Sequence, residues 1–182
     1  AEKPADPEDY RNLEQRVLDV LPAEPVDGIG FSMGAQVLLW LAAHHPDRFG
    51  RLVVSGIGRN LFEPDVEWRP KMVEAVRTGV AATPELRYFA QLPESPDADR
   101  TALVAFLERP DRREFPPELL ASVTLPVLVV IGGADLAGPA DPLVDALPDA
   151  SLVVLPGVDH FATPKNFSFI EAALDFIDAQ PF

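Results

Sequence analysis

Three stretches of the chain are apolar without polar alternation: Leu52-Val53-Val54 within Arg51–Ser55, Val127–Ile131, and Leu152–Leu155. A fourth, Val26–Phe31, reads as a strand weakened by Asp27 and Gly28. Strands of this kind are covered on both faces, as in a parallel sheet flanked by helices. Helical periodicity fills the segments between and beside them. Leu13, Val17, Val20 and Leu21 share a face in Tyr10–Leu21, which Pro22 and Pro25 end. Met33–His45 is apolar over most of its surface, predicting a buried helix that Pro46 stops. Ala140–Leu147 and Phe167–Ala179 are further helices, the second carrying Phe167, Ile170, Leu174 and Ile177 in one stripe. The predicted fold class is α/β, a mostly parallel sheet flanked by helices.

Residues 59–123 behave differently. Pro64, Pro70, Pro84, Pro93, Pro96, Pro110, Pro116 and Pro117 punctuate a stretch with no strong strand run. Lys71–Val80, Pro84–Gln91 and Arg100–Glu108 read as helices. The expected organisation is therefore a core made of residues 1–58 and 124–182, with a helical cap insertion at 59–123.

At the joint between Val26–Phe31 and the following helix stands Gly30-Phe31-Ser32-Met33-Gly34. A strand that turns sharply into a helix has no room for bulky side chains two residues either side of the turn. Gly30 and Gly34 would remove those clashes and leave the Ser32 hydroxyl at the tip. The Met33 N–H opens the helix, where unpaired donors and the helix dipole favour an oxyanion. On these residues the chain resembles the serine alpha/beta-hydrolase superfamily.

A serine nucleophile needs a base and an orienting acid. Of the three histidines, His44 and His45 end the helix after Ser32, where an imidazole is favoured by the helix dipole. His160 instead follows Leu152–Leu155 through Pro156-Gly157-Val158-Asp159, at the edge where open α/β sheets keep their sites. Asp135 follows Val127–Ile131 through Gly132-Gly133-Ala134 and is the favoured acid, with Asp141, Asp159, Glu63 and Asp65 as competitors. The order Ser32, Asp135, His160 is that of the superfamily, and Leu155-Pro156-Gly157-Val158-Asp159-His160-Phe161 is similar to its histidine loop. The resemblance implies Ser32 as nucleophile, His160 as general base then acid, Asp135 as its orienter and the Met33 N–H as an oxyanion donor. Serine at position 32 argues against the branches that use a carboxylate nucleophile. The implied reaction is acyl transfer to water from an ester, thioester, lactone or related small apolar substrate. Phe31, Trp68, Met72, Tyr88, Phe89 and Phe161 are candidates to line an acyl pocket; Phe62, Leu92 and Phe106 could join them, although such residues more often pack cap helices together.

The chain also departs from the superfamily pattern. Members usually have four strands ahead of the serine strand, and a loop there supplies the second oxyanion N–H, commonly in a His-Gly stretch. No such part precedes Val26 here, and Lys3–Tyr10 is similar to the loop after the fourth strand. The expectation is an N-terminally incomplete hydrolase whose serine strand has an unpaired edge. A partner chain carrying the missing strands, or self-association, would cover that edge.

Composition narrows the remaining choices. A net charge of −14 argues against nucleic acid or anionic membrane as partner. The absence of cysteine excludes thiolate metal sites and a cysteine nucleophile. No His-x-x-x-His pair is present, and neither a metal nor a cofactor is expected. The opening residues are charged and proline-containing, no apolar stretch is long enough to span a bilayer, and the expected location is cytoplasmic. Gly28-x-Gly30-x-x-x-Gly34 is one residue off a dinucleotide fingerprint and lacks its acidic residue after the next strand. A more credible rival is a hydrolase fragment that serves as a binding or assembly subunit.

Overall fold

The computed structural model describes residues 3–110 and 113–179. Four strands, β1 (Val26–Phe31), β2 (Phe49–Ser55), β3 (Val127–Gly132) and β4 (Ala150–Leu155), form one sheet in that order, and every neighbouring pair is parallel. Adjacent residues Gly30, Val54, Val129 and Leu152 make one row across the sheet, and Phe31, Ser55, Val130 and Val153 the next. All of β3 is buried, which accounts for its unbroken apolar run. Helices cover both faces. Val53, Leu128, Val130 and Leu155 pack against Phe169 and Ala173 of the C-terminal helix, Phe167–Phe176. The opposite face meets Met33–His44, whose Ala35 and Leu38 lie over Gly30 and Gly28.

In chain order the helices are α1 (Leu13–Val20), α2 (Met33–His44), α3 (Trp68–Thr78), α4 (Pro84–Gln91), α5 (Arg100–Glu108), α6 (Pro117–Ala121), α7 (Asp141–Ala146) and α8 (Phe167–Phe176). Most agree with the periodicity, and the differences have local causes. The expected Tyr10–Leu21 helix starts later because Pro7–Tyr10 forms a tight 3₁₀ turn, with the Asp6 carboxylate accepting from the Glu8 N–H. α8 stops before Ala179 because Asp178 adopts φ 54° and the Arg51 guanidinium takes the Phe176 and Ile177 carbonyls. Arg51 also pairs with Asp27 and Asp178, and these hydrogen bonds, Asp27 first, hold its pKa above the usual arginine value. Asp27, read as a weakness in its strand, is thus used. α3 starts earlier than predicted because Pro70 sits in its first turn, where proline is tolerated, and it ends at Gly79 in the left-handed region. α6 was not predicted.

The chain divides into two compact units: Glu14–Pro64 with Glu114–Phe182, and Ala1–Leu13 with Asp65–Arg113. These bounds differ from the expected 1–58, 59–123 and 124–182. The residues before Glu14 go with the helical unit: the Tyr10 ring packs edge-on against Phe106, centroids 5.5 Å apart. Residues 59–64 stay with the sheet, where the Arg59 and Asn60 N–H groups donate to the Pro139 and Ala137 carbonyls. Leu120 and Val123 are buried in the sheet unit as well. Inside the helical unit, Trp68, Met72 and Phe89 pack on Ala75, Leu86 and Ala90. Arg69 donates to the Leu107 and Arg109 carbonyls and Arg100 to the Val76 carbonyl, tying the helices together.

The turn from β1 into α2 separates the roles of its glycines. A Cβ on Gly30 would stand 2.8 Å from the backbone of Gly34 and Ala35, so α2 crosses the strand at backbone contact. A Cβ on Gly34 would meet nothing within 4 Å, which corrects the expectation that both glycines relieve a clash. Gly28 leaves no gap either: Leu52 and Leu38 fill the space its side chain would occupy, at 2.9 and 3.2 Å.

Two outcomes follow from this packing. Gly30→Ala is expected to destabilise the fold by about 1–3 kcal/mol through overpacking, whereas Gly34→Ala is neutral or gains up to ~1 kcal/mol of helix propensity; urea denaturation of both variants reads the contrast. Leu52→Ala, at a side chain with no exposed surface, should cost about 2–5 kcal/mol in the same titration.

Candidate active site

Ser32 sits between the last residue of β1 and the first of α2 with φ 52° and ψ −113°, a region a non-glycine residue enters only under constraint. Two backbone bonds impose it. The Ser32 N–H donates to the Ser55 carbonyl of β2 at 2.7 Å, and its own carbonyl accepts from Gln36 at 3.2 Å. Met33 follows as the first residue of α2, where N–H groups have no partner within the helix.

Asp135 and His160 come from the loops after β3 and β4, and those loops are stapled to each other. The Gly133 N–H donates to the Leu155 carbonyl at 2.8 Å, and the Ala134 N–H to the Val158 carbonyl at 3.0 Å. A Cβ on Gly132 would overlap the Val158 carbonyl, so only glycine admits this approach. The result is a buried pair: His160 Nδ1 lies 2.9 Å from Asp135 Oδ1, which also accepts from the Ala137 N–H at 2.8 Å. A carboxylate only accepts, so Nδ1 carries the proton and Nε2 is left with its lone pair.

The imidazole is positioned by three further neighbours. Its ring lies 4.7 Å from that of Phe31, the residue before Ser32, and 5.1 Å from that of Phe161, set edge-on. Gly56, at φ 67°, lies against both rings: a Cβ there would be 2.6 Å from Phe31 and 3.0 Å from His160. The structure thus brings Asp135 and His160 into hydrogen-bond contact and sets His160 beside the elbow. No hydrogen bond joins Ser32 to His160.

The competing acids are occupied elsewhere. Asp159 Oδ1 accepts from the Ala162 N–H at 2.8 Å, within its own turn. Asp141 opens α7 on the surface, Glu63 faces Arg59 at 3.8 Å, and Asp65 accepts from the Glu67 N–H. His44 lies at the other end of α2, roughly 16–18 Å along the helix from Ser32, stacked on Trp40 with ring centroids 4.0 Å apart. Of the candidate pocket residues, Phe31 and Phe161 flank the imidazole. Trp68, Met72 and Phe89 serve the packing of the helical unit, and Tyr88 is exposed there. Sequence reasoning missed Ser55 and Gly56; a polar residue followed by glycine at the end of an apolar run was the available signal. Among the described residues no helix is long and apolar enough to cross a membrane.

Known proteins share this architecture. A relative from Neisseria meningitidis serogroup A, a pimeloyl-[acyl-carrier protein] methyl ester esterase, is 32% identical over 137 residues, covering 63% of this chain and 44% of its own length. The protein of the same name from serogroup C covers 53% of its own length, so the chain spans about half the length of these curated relatives. A serine hydrolase involved in carbazole degradation superposes with a TM-score of 0.68 at 24% identity, over 97% of this chain and 74% of the other. The enol-lactonase of Burkholderia xenovorans LB400 does so with 0.65 at 20%, over 98% and 75%. The sequence model of the alpha/beta hydrolase family matches residues 2–177, and the chain belongs to that family.

Proposed function

We propose that the protein is a serine hydrolase that transfers an acyl group to water from an ester, thioester, lactone or related small apolar substrate. The observation that carries this reading is the buried Asp135–His160 pair packed on Phe31, one residue from a serine held at φ 52°. The names of the curated relatives, methyl ester esterases, and of one structural neighbour, an enol-lactonase, support the same chemistry.

In this mechanism Ser32 Oγ attacks the substrate carbonyl carbon and its proton passes to His160 Nε2. Asp135 Oδ1 holds the imidazole in the tautomer that can accept and stabilises the imidazolium that forms. The Met33 N–H donates to the oxyanion. Collapse of the tetrahedral intermediate breaks the bond to the leaving group, which takes the proton from His160. A water activated by the same nitrogen then releases the acid and restores Ser32. The Ser32–His160 hydrogen bond, open in the free chain, closes as the substrate seats; such bonds commonly tighten only in the complex. The helical unit, residues 65–113, is assigned the role of a cap that selects the acyl group. Acyl transfer by these groups calls for no cofactor.

A second reading is favoured by the free edge of β1. Among the described residues that strand pairs only with β2, and Ile29 and Met33 are 47% and 37% exposed. In this reading the chain binds substrate but turns it over slowly until a further strand, from a partner chain or a second copy, covers the edge and brings another oxyanion donor. One missing donor costs ~10²–10³ in rate.

Ser32→Ala should abolish both the phosphonate adduct seen by mass spectrometry and the turnover of p-nitrophenyl esters; turnover that survives the substitution sinks the first reading. Asp135→Asn should keep the fold and lower kcat by roughly 10³–10⁴, as loss of the orienting acid does elsewhere. Phosphonate labelling without turnover, in a chain that elutes as a monomer, selects the second reading.

A further inference from the structure

Among the described residues of the sheet unit, three buried side-chain polar atoms have no hydrogen bond: Arg48 Nε, Ser55 Oγ and Asp135 Oδ2. Arg48 is otherwise engaged, its Nη2 donating to the Leu21 and Pro22 carbonyls. The other two belong together. Ser55 is the last residue of β2 and Asp135 lies three residues beyond the end of β3, the neighbouring strand. Ser55 pairs with Val130 on one side and with Phe31 on the other, and Phe31 touches the imidazole. The next residue, Gly56, lies against His160 as well. Ser55 has no exposed surface and the Asp135 side chain has none. One atom is a hydroxyl able to donate; the other is a carboxylate oxygen able only to accept. Buried polar atoms are nearly always partnered; here Asp135 holds the imidazole, and Ser55 lies between Phe31 and Gly56, both of which touch it.

We propose that Ser55 is a positioning residue of this site: its hydroxyl donates to Asp135 Oδ2, by rotation about χ1 or through one internal water. Oδ1 is then held by His160 and Ala137, and Oδ2 by Ser55, so the carboxylate cannot swing. The bond also spreads the carboxylate charge and weakens its pull on the His160 Nδ1 proton. Its catalytic meaning rests on the hydrolase reading; the link itself does not.

The test needs no substrate. The His160 imidazole of the 182-residue chain is titrated by NMR, with thermal melting alongside, in the native sequence and in Ser55→Ala. Asp135 is the carboxylate paired with His160, and Asp159 is turned to Ala162, so the midpoint reads the state of Asp135. Removing the hydroxyl should raise the midpoint, corresponding to roughly a threefold gain in proton affinity, and lower Tm. An unchanged or lowered midpoint overturns the proposal whatever the melt shows. A Tm that holds or rises overturns it too, because deleting an idle buried hydroxyl would do that. Failure of the hydrolase reading would show in the Ser32→Ala assays and leave this midpoint unaffected.

Discussion

Everything at the candidate site depends on the loop after β3 being stapled to the loop after β4. Two backbone bonds, Gly133 to Leu155 and Ala134 to Val158, bring the segments carrying Asp135 and His160 side by side. Gly132 makes this possible by offering no side chain where the Val158 carbonyl arrives. Without that approach the two side chains would be separate loop residues. With it they form a buried ionisable pair whose proton is assigned to one nitrogen. The desolvation that such burial imposes is offset by the hydrogen bonds Asp135 Oδ1 accepts from His160 and Ala137.

The elbow is a second constraint, solved by different means. Ser32 occupies unfavourable backbone space, a strain of about 1–3 kcal/mol by general experience, and the bonds to Ser55 and Gln36 hold it there. The same strand end that receives the Ser32 N–H also presents Ser55 and Gly56 to the imidazole's surroundings. β2 therefore ties the turn at Ser32 to the surroundings of His160. Downstream of it, the Arg59 and Asn60 N–H groups reach the 137–139 segment just beyond Asp135, shortly before the sheet unit gives way to the helical one at Asp65.

The helical unit follows other rules. Its helices are short, and their ends are closed by arginines: Arg69 on the carbonyls ending α5, Arg100 on those ending α3. Its aromatic residues pack on small ones, Ala75 and Ala90 among them.

Periodicity alone determined much of the architecture. Unbroken apolar runs mark strands covered on both faces, as β2 and β3 are, whereas β4, at the end of the sheet order, carries such a run with Val154 half exposed. The strand-to-helix joint at Ser32 and the placing of Asp135 and His160 in loops after β3 and β4 were likewise legible, because turn residues at strand ends mark where the chain leaves the sheet. What the sequence could not decide were the matters that need a third dimension. Gly30 and Gly34 look alike in the chain, and only the crossing of α2 over β1 makes one indispensable and the other free. Asp159 and Asp135 both precede His160; backbone bonding sent the first to Ala162 and the second to the imidazole. Residues before Glu14 joined the helical unit through the contact of Tyr10 with Phe106, a pairing between distant segments that no local pattern encodes. Local chemistry selects the elements and their turns, whereas the choice among equivalent side chains is made by whichever backbone groups happen to lie within reach once the elements pack.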